Sequence, residues 1–424
     1  MGKRWGTAVL LVCTYVLTTA LPVRAAEADD LVHSTPVDAF TLTPDWSLET
    51  YAAKLETALG TTRSVAAVLG EANRPIETCS GTQQQALPEH YGRTDYPLTS
   101  GQILHSTDRF CWDEGDSKVT YWQPQGITGS SDADDDGLWG ENRVMLVSWY
   151  YDLTGPDKGV RVSFLDVANR KYRHVLLVEP TRTTTPNYRA VPIHAGGLAW
   201  LGRYLYVADT AGGLRVFDVN RILEVPDTQD VIGKSGNAYY AYNYRYVLPQ
   251  VASYGNGQEG ECKPIATRLC YSSLSLDRSG TPDTLVVGEY RDGRSADAAV
   301  DGGRVVRYRV DATTRLPVLT NGKAVAQDAV TVPRSNVQGV QTWGDRYYLG
   351  RSSNRQHSWM HSGVTGGSTT TNSWALGGED LYHEHGPGIT AGKLWTVTEH
   401  AWSVDGGTFL DQRAIFAVPL ADIG

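Results

Sequence analysis

Short runs of alternating apolar and polar residues, separated by glycine, asparagine, aspartate or proline, dominate the chain after residue 120. The stretch HAGGLAWLGRYLYVADTAGGLRVFD, which begins at His194, is the clearest case. Alternation with a period of two predicts half-buried β-strands, and the glycines predict tight turns between them. We expect strands over 198–200, 204–209 and 214–219, with a fourth over 244–248 after an insertion.

The same order of short strands recurs along the chain. An earlier unit covers 126–128, 143–151, 159–167 and 172–180, and a later one covers 271–277, 283–290 and 303–311. A fourth unit begins with 337–353, and a fifth begins with 385–402 and ends near residue 423. Four-stranded units spaced by about 40–60 residues predict an all-β protein with the β-propeller fold. Five blades are visible, and degenerate units would make six or seven; we expect 118–124 to complete the last blade and close the ring.

The segment 45–72 has a different pattern. Leu48, Tyr51, Ala52 and Leu55 recur at helical spacing, which predicts an amphipathic helical segment packed on the propeller. A plain connector is the alternative. The expected organisation is therefore a signal peptide over 1–25, an N-terminal segment with this helix over 26–110, and the propeller over 111–424.

The N-terminus has the features of a secretory signal. Lys3 and Arg4 precede a mostly apolar run over 8–17, and a small residue, Ala25, stands at the expected cleavage point. A retained signal-anchor is the alternative reading. We expect the mature chain to be exported to the extracellular medium, soluble and monomeric, with no membrane partner.

Charge narrows the range of partners. The 424-residue chain has a net charge of −9, and removal of residues 1–25 takes away Lys3, Arg4 and Arg24 but no acid, which gives −12. Nucleic-acid binding needs a basic surface, so we expect no nucleic-acid partner.

Cysteine usage agrees with export. Of five cysteines, Cys13 lies in the signal, and Cys79, Cys111, Cys262 and Cys270 remain. An even number in an exported chain favours two disulfides, although three pairings are possible. Proximity in sequence favours Cys79–Cys111 and Cys262–Cys270.

The propeller hypothesis locates a binding face. In a propeller, the starts of the first strands and the ends of the second strands meet at one mouth of the central channel, where ligands generally bind. Aligning the units places polar residues there. The first-strand column holds Gln123, His194, Asn336 and His385; the second-strand column holds Trp149, Asp209, Glu289, Arg351 and Glu399, followed by Tyr150, Tyr290 and Arg291.

Two interpretations of these columns stay open. Carboxylates, guanidinium groups and aromatic faces are suited to a sugar ligand. The alternative is that the polar residues only satisfy backbone groups around a water-filled channel. His105 is a weaker candidate, since no repeat places it at the mouth.

The sequence DADDDG is a separate signal. Asp132, Asp134 and Asp136 alternate before Gly137, like the opening half of a calcium loop, although Arg143 stands where an EF-hand has glutamate. We expect a structural calcium ion on the face opposite the mouth, or else a solvated acidic turn. No organic cofactor is expected.

The run HAGGLAWLGRYLYVADTAGGLRVFD, together with KGVRVSFLDV and YRHVLLVEP, resembles secreted propeller proteins of actinomycetes and fungi that are similar to the L-rhamnose-α-1,4-D-glucuronate lyases. The resemblance covers about residues 100–420 and implies cleavage of a polysaccharide next to a uronic acid by β-elimination. Such a reaction needs a group that neutralises the carboxylate, a base and an acid. The mouth offers Arg351, Arg291 or Arg215 for the first, His194 or His385 for the second, and Tyr150 or His105 for the third.

Two other functions fit the same columns. Asp209, Glu289 and Glu399 share one register on three blades, and paired carboxylates suffice for glycoside hydrolysis. A non-catalytic propeller that binds glycans or proteins is the third possibility, because the fold itself does not select among these functions.

Overall fold

The computed structural model describes residues 30–34, 37–60, 62–91, 98, 101–155, 157–257, 262, 268–291, 302–353, 357–387, 392–401 and 412–424. The expected signal peptide over 1–25 lies outside the described residues. No helix among them is both long enough and apolar enough to cross a membrane.

The described strands form five four-stranded antiparallel units, which confirms the prediction of an all-β propeller. Blade 1 consists of Trp122–Gly129, Val144–Tyr151, Val160–Asp166 and Lys171–Pro180. Blade 2 consists of Leu198–Leu201, Tyr204–Asp209, Gly213–Asp218 and Tyr246–Gly255. Blade 3 consists of Tyr271–Asp277, Thr284–Glu289, Arg304–Arg309 and Asp328–Thr331. Blade 4 consists of Val337–Trp343, Arg346–Arg351, Trp359–Val364 and Thr370–Ser373.

Blade 5 is assembled from both ends of the chain. Its strands are Gly378–Glu384, Lys393–Thr398, Ala414–Pro419 and, from the N-terminal side, Asp108–Cys111. The expectation that 118–124 closes the ring is therefore wrong, because Trp122–Gly129 is the innermost strand of blade 1. The strand Asp108–Cys111 pairs with the exposed edge of Ala414–Pro419 and closes the ring instead.

The innermost strands pack closely around the axis, and glycines make this approach possible. A Cβ atom on Gly126 would lie 2.8 Å from the backbone of Gly197, and one on Gly197 would lie 2.0 Å from the backbone nitrogen of Leu274. A Cβ on Gly339 would meet the backbone of Asp380 at 2.8 Å. Any side chain at these positions would push neighbouring blades apart.

A single carboxylate on the axis joins four blades. Asp380 is fully buried in the first strand of blade 5, at a register shift between Glu379 and Tyr382. Its Oδ2 accepts the backbone N–H groups of Ile127 and Leu198 at 3.0 Å, and its Oδ1 accepts that of Leu274 at 3.2 Å. Burial raises the pKa of Asp380, and the backbone donors oppose that shift.

The N-terminal segment runs around the outer edges of the blades. Val32–His33 pairs with blade 3, Thr41–Asp45 with blade 2 and Arg74–Pro75 with blade 1. A bridge from Asp30 to Ser368 reaches blade 4, and one from Glu77 to Cys111 reaches blade 5. The segment thus contacts all five blades, and the expected boundary between residues 110 and 111 falls inside a strand of blade 5.

The expected helical segment is present as two helices. Ser47–Leu59 buries Leu48, Ala52 and Leu55 and ends at Gly60, which adopts a φ of 70°. Val65–Gly70 follows after the short strand Thr62–Arg63 and begins at a Ser64 side-chain cap.

The remaining elements are short. The other helices are Glu114–Ser117, Ser130–Ala133 and Leu420–Ile423, and the 3-10 turns are Val37–Ala39, Gly81–Ala86, Pro88–His90 and Val219–Arg221. The other strands are Tyr188–Ala190, Ile222–Glu224, Ile232–Ser235, Ala238–Ala241, Leu319–Thr320 and Lys323–Val325.

Both expected disulfides are present. Cys79–Cys111 ties the N-terminal segment to the strand that closes the ring, and Cys262–Cys270 closes a short loop before blade 3.

We predict that Asp380→Asn lowers the free energy of unfolding by about 2–4 kcal/mol, because an amide nitrogen replaces an acceptor that buried N–H groups need. Urea denaturation would measure the loss. Asp345→Asn, an exposed aspartate on a turn of blade 4, is the matched control and should change stability by less than about 0.5 kcal/mol. Equal effects of the two substitutions would contradict the assigned role of Asp380.

Candidate functional site

The mouth is the face of the propeller at which first strands begin and second strands end. Tyr150 lies at this end of blade 1, His194 immediately precedes blade 2, and Glu399 follows the second strand of blade 5. Ring closure brings these three residues together, although they come from distant parts of the sequence. Tyr150 Oη lies 3.5 Å from Glu399 Oε1, and the Tyr150 and His194 rings lie 4.2 Å apart, with an interplanar angle of 34°.

Two glutamates of blade 5 form the centre of this cluster. Glu399 keeps 18% of its side chain exposed, whereas Glu379, on the neighbouring first strand, is buried. Burial raises the pKa of both carboxyl groups, and the charge of Glu399 raises that of Glu379 further. Two interacting buried carboxyls share protons, so we expect the deeper Glu379 to stay protonated at neutral pH.

Hydrogen bonds distinguish the two oxygens of the Glu399 carboxyl group. Gln125 Nε2 donates to Glu399 Oε1 at 2.9 Å, on the same oxygen that Tyr150 approaches. Glu399 Oε2 lies 3.8 Å from His400 Nδ1, beyond hydrogen-bond distance. Since donors occupy Oε1, a proton on Glu399 belongs on Oε2.

His194 is exposed at the mouth, yet the surrounding protein lowers its pKa by desolvation. Asp152, two residues beyond Tyr150, is exposed at the rim, and its charge raises the pKa of both His194 and Glu399. The imidazole is therefore neutral near pH 7 and offers an uncharged face beside two carboxyl groups.

Arg413 fixes the position of Glu399. Its Nε donates to the backbone carbonyl of Glu399 at 2.7 Å, and its Nη1 donates to the carbonyl groups of Asp116 and Val119. Its Nη2 donates to Gln123 Oε1 at 2.6 Å. The guanidinium thus spans the junction of blades 5 and 1, and its charge partly offsets the rise in the Glu399 pKa.

The other predicted carboxylates are paired with arginines. Arg215 Nε lies 2.8 Å from Asp209 Oδ2. Arg304 bonds Glu289 through Nε at 2.7 Å and Nη2 at 2.8 Å, and Glu289 also accepts the backbone N–H of Cys270. Glu289 is buried, and both of its carboxylate oxygens accept hydrogen bonds from the protein. We therefore assign Glu289 a structural role.

Four further predicted residues lie on the side of the mouth formed by blades 3 and 4. The backbone N–H of Tyr290 donates a hydrogen bond to Ser272 Oγ. The backbone carbonyl of Arg291 accepts a hydrogen bond from the backbone N–H of Asn336. The Arg351 guanidinium lies 5.0 Å from the centre of the Trp359 ring.

Three sequence-based placements are wrong. Trp149 is fully buried and donates to Ser163 Oγ within blade 1, because its side chain alternates away from the mouth. His385 follows the first strand of blade 5, so it lies at the opposite end of the channel and packs on Trp343. His105 is exposed near the outer edge of blade 5, three residues before the far end of Asp108–Cys111.

The acidic loop after the first strand of blade 1 lies on the opposite face, as expected. Asp132 is buried and accepts a hydrogen bond from Thr128, whereas Asp134 and Asp136 are exposed. Within the described ranges, no group of three histidine, cysteine or acidic residues could hold a metal ion. The calcium site at these three aspartates stays a prediction.

One buried chain of hydrogen bonds has the residue types of a hydrolytic triad. Ser163 Oγ lies 3.0 Å from His174 Nδ1, and His174 Nε2 lies 3.0 Å from Asp116 Oδ2. All three residues are buried, and Arg161 also bonds Asp116 at 2.8 Å. Burial lowers the pKa of His174 to about 4. Without access to a substrate, this network serves to attach the segment before blade 1 to its outer strands.

Sequence reasoning missed Glu379 and Asp152. The sequence pattern places the first strand of the fifth unit around Gly388, whereas the structure has it at Gly378–Glu384, so Glu379 falls before the predicted unit. Asp152 directly follows the polar column at 149–150 and could have been found by extending that column by two residues.

Comparisons with known proteins are weak. No protein-family model matches the sequence, and no curated protein matches it either. Similar solved structures include a GH43_1 enzyme from Xanthomonas citri complexed with xylose, at 14% identity and TM-score 0.30, which covers 72% of this chain and 91% of that one. An α-L-arabinofuranosidase from Lactobacillus brevis has 9% identity and TM-score 0.33, with 70% and 91% covered. Similarities with TM-scores this low carry no information on function.

We predict that Asp132→Asn changes how stability depends on pH. Burial raises the pKa of Asp132 to about 8, whereas the unfolded chain titrates near 4. The stabilising proton is fully bound below the unfolded pKa and is lost as the pH rises through the folded pKa. The difference in unfolding free energy between wild type and variant should fall by up to about 1.4 kcal/mol per pH unit between pH 5 and 8. Parallel stability curves in urea would contradict the assignment.

Proposed function

We propose that the protein hydrolyses glycosidic bonds at the mouth, with Glu399 as the general acid. The observation that carries this proposal is the Glu379–Glu399 carboxyl pair, of which Glu399 keeps 18% of its side chain exposed. A general acid must hold its proton near neutral pH, and burial together with the charge of Asp152 raises the pKa of Glu399 in that direction. The proposal adopts the hydrolase reading and moves its centre from Asp209 and Glu289 to Glu379 and Asp152.

Each further role follows from position. Asp152 lies exposed at the rim, close enough for its charge to act on Glu399, and is the candidate for the second carboxylate that activates water or attacks the sugar. The paired Tyr150 and His194 rings offer an aromatic face for a sugar ring. Glu379 is buried and protonated next to Glu399, so it is a positioning residue and not the acid.

The lyase reading has less support from the site. β-Elimination needs a cation or donor at the uronate carboxylate. Next to Glu399 the described guanidinium is that of Arg413, whose N–H groups donate to backbone carbonyls and Gln123. Arg215 pairs with Asp209, and His385 lies at the other end of the channel.

We predict that Glu399→Gln lowers kcat/KM on a cleavable glycoside by about 10²–10⁴-fold with no loss of folding. A panel of plant and microbial polysaccharides and aryl glycosides would identify the substrate, with reducing ends and ultraviolet absorbance followed together. New reducing ends without unsaturated uronate indicate hydrolysis, whereas unsaturated products indicate a lyase. Glu141→Gln, an exposed glutamate on the opposite face, is the control and should retain activity. Full activity of Glu399→Gln would overturn the proposal.

The carboxyl pair also predicts a pH effect. Activity should fall as the pH rises through the raised pKa of Glu399, because the general acid loses its proton. Glu379→Gln replaces a protonated carboxyl group by a neutral amide, so the alkaline limb of kcat/KM should stay where it is in the wild type. A pH profile of this variant checks the result, and a limb that moves to lower pH would show that Glu379 is ionised and acts on Glu399.

A further inference from the structure

Beside the mouth, exposed tyrosine and leucine side chains extend outward along blade 1. We define the tyrosine ledge as Tyr121, Tyr151, Leu153 and Tyr242. Tyr121 is 41% exposed and Leu153 is 54% exposed, both unusually high for large apolar side chains in this protein. Tyr151 and Tyr242 are half-buried and pack against the core of blade 1.

The ledge is continuous. The Tyr121 and Tyr151 rings lie 5.7 Å apart, edge to face, and Tyr151 lies 5.1 Å from the buried Trp122 ring. Tyr242 lies beyond Tyr151, near enough for the two phenols to influence each other electrostatically. Lys158 holds the far end in place, with its Nζ 5.0 Å from the Tyr242 ring centre and 2.6 Å from Asp230 Oδ1.

The ledge begins at the proposed active site. The backbone N–H of Asp152 donates to the carbonyl of Tyr121 at 2.9 Å, so the candidate second carboxylate and the exposed ring are joined through the backbone. Tyr150, which contacts His194, and Tyr151 are neighbours in one strand, so their side chains lie on opposite faces of blade 1. A glycan lying on His194 and Tyr150 would reach the ledge over the end of this strand, where Asp152 bonds Tyr121.

We propose that the tyrosine ledge binds further sugar residues of a glycan whose scissile bond lies at Glu399, so that the substrate is an oligosaccharide or polysaccharide chain. The inference rests on the proposed function. Tyrosine rings combine an apolar face with a hydroxyl, which suits the apolar faces and hydroxyl groups of sugars. Phenols beside a catalytic mouth thus favour a glycan over a purely apolar partner.

The test compares long and short substrates of the same linkage. Tyr121→Ala should lower kcat/KM on a polymer or long oligosaccharide roughly two- to tenfold, the loss expected for one aromatic contact, and should leave kcat/KM on an aryl monoglycoside unchanged. Tyr121→Phe keeps the ring and should restore activity on long chains. Tyr51→Ala, a half-exposed tyrosine on the helix Ser47–Leu59, is the matched control and should affect neither substrate.

Binding can be measured apart from turnover. The Glu399→Gln variant should migrate more slowly in gels that contain the cleaved polysaccharide, and adding Tyr121→Ala should reduce that retardation. Equal losses of Tyr121→Ala on long and short substrates, or no loss on either, would overturn the ledge while leaving hydrolysis intact. A change in oligomeric state of Tyr121→Ala in place of a chain-length effect would assign the ledge to protein contact. If wild type cleaves no glycoside and Glu399→Gln binds none, the proposed function fails instead.

Discussion

Closure of the ring is the constraint on which the rest of the structure depends. Three strands of blade 5 come from the end of the chain and its outer strand, Asp108–Cys111, comes from before blade 1. Asp380 completes the closure at the axis, where its carboxylate accepts backbone N–H groups from blades 1, 2 and 3. Only in the closed ring do Glu399 of blade 5, Tyr150 of blade 1 and His194 of blade 2 meet. The candidate site is thus a product of the closure.

Arginine pairing divides the carboxyl groups at the mouth into two classes. Asp209 and Glu289 each bond a guanidinium group, so fixed donors occupy their carboxylate oxygens. Glu379 and Glu399 lie on neighbouring strands of blade 5 and interact electrostatically, and burial raises the pKa of both. Polar residues around a channel often only satisfy backbone groups, but a carboxyl pair of this kind costs stability, and such costs are characteristic of functional sites.

Much of the fold could be predicted from the sequence, because period-two alternation and glycine turns are local signals. The strands of blades 1 and 2 and the positions of Tyr150, His194 and Glu399 follow from that pattern, and both disulfides follow from the proximity of the cysteines in sequence. The errors arose where non-local packing decides. The edge that Asp108–Cys111 covers lies some 300 residues away in sequence, and the first strand of blade 5, GEDLYHE, has charged residues that only a buried hub and a mouth explain. The pairing of Glu289 with Arg304, which excluded it as a catalyst, is likewise invisible in sequence.

The most direct test of the account is a crystal structure of the Glu399→Gln variant with an oligosaccharide of the cleaved linkage. The account predicts a sugar ring against His194 and Tyr150, with its glycosidic oxygen within hydrogen-bond distance of residue 399 and Asp152 on the other side of the bond. Sugar density confined to the opposite face near His385, or to the outer edges of the blades, would contradict it.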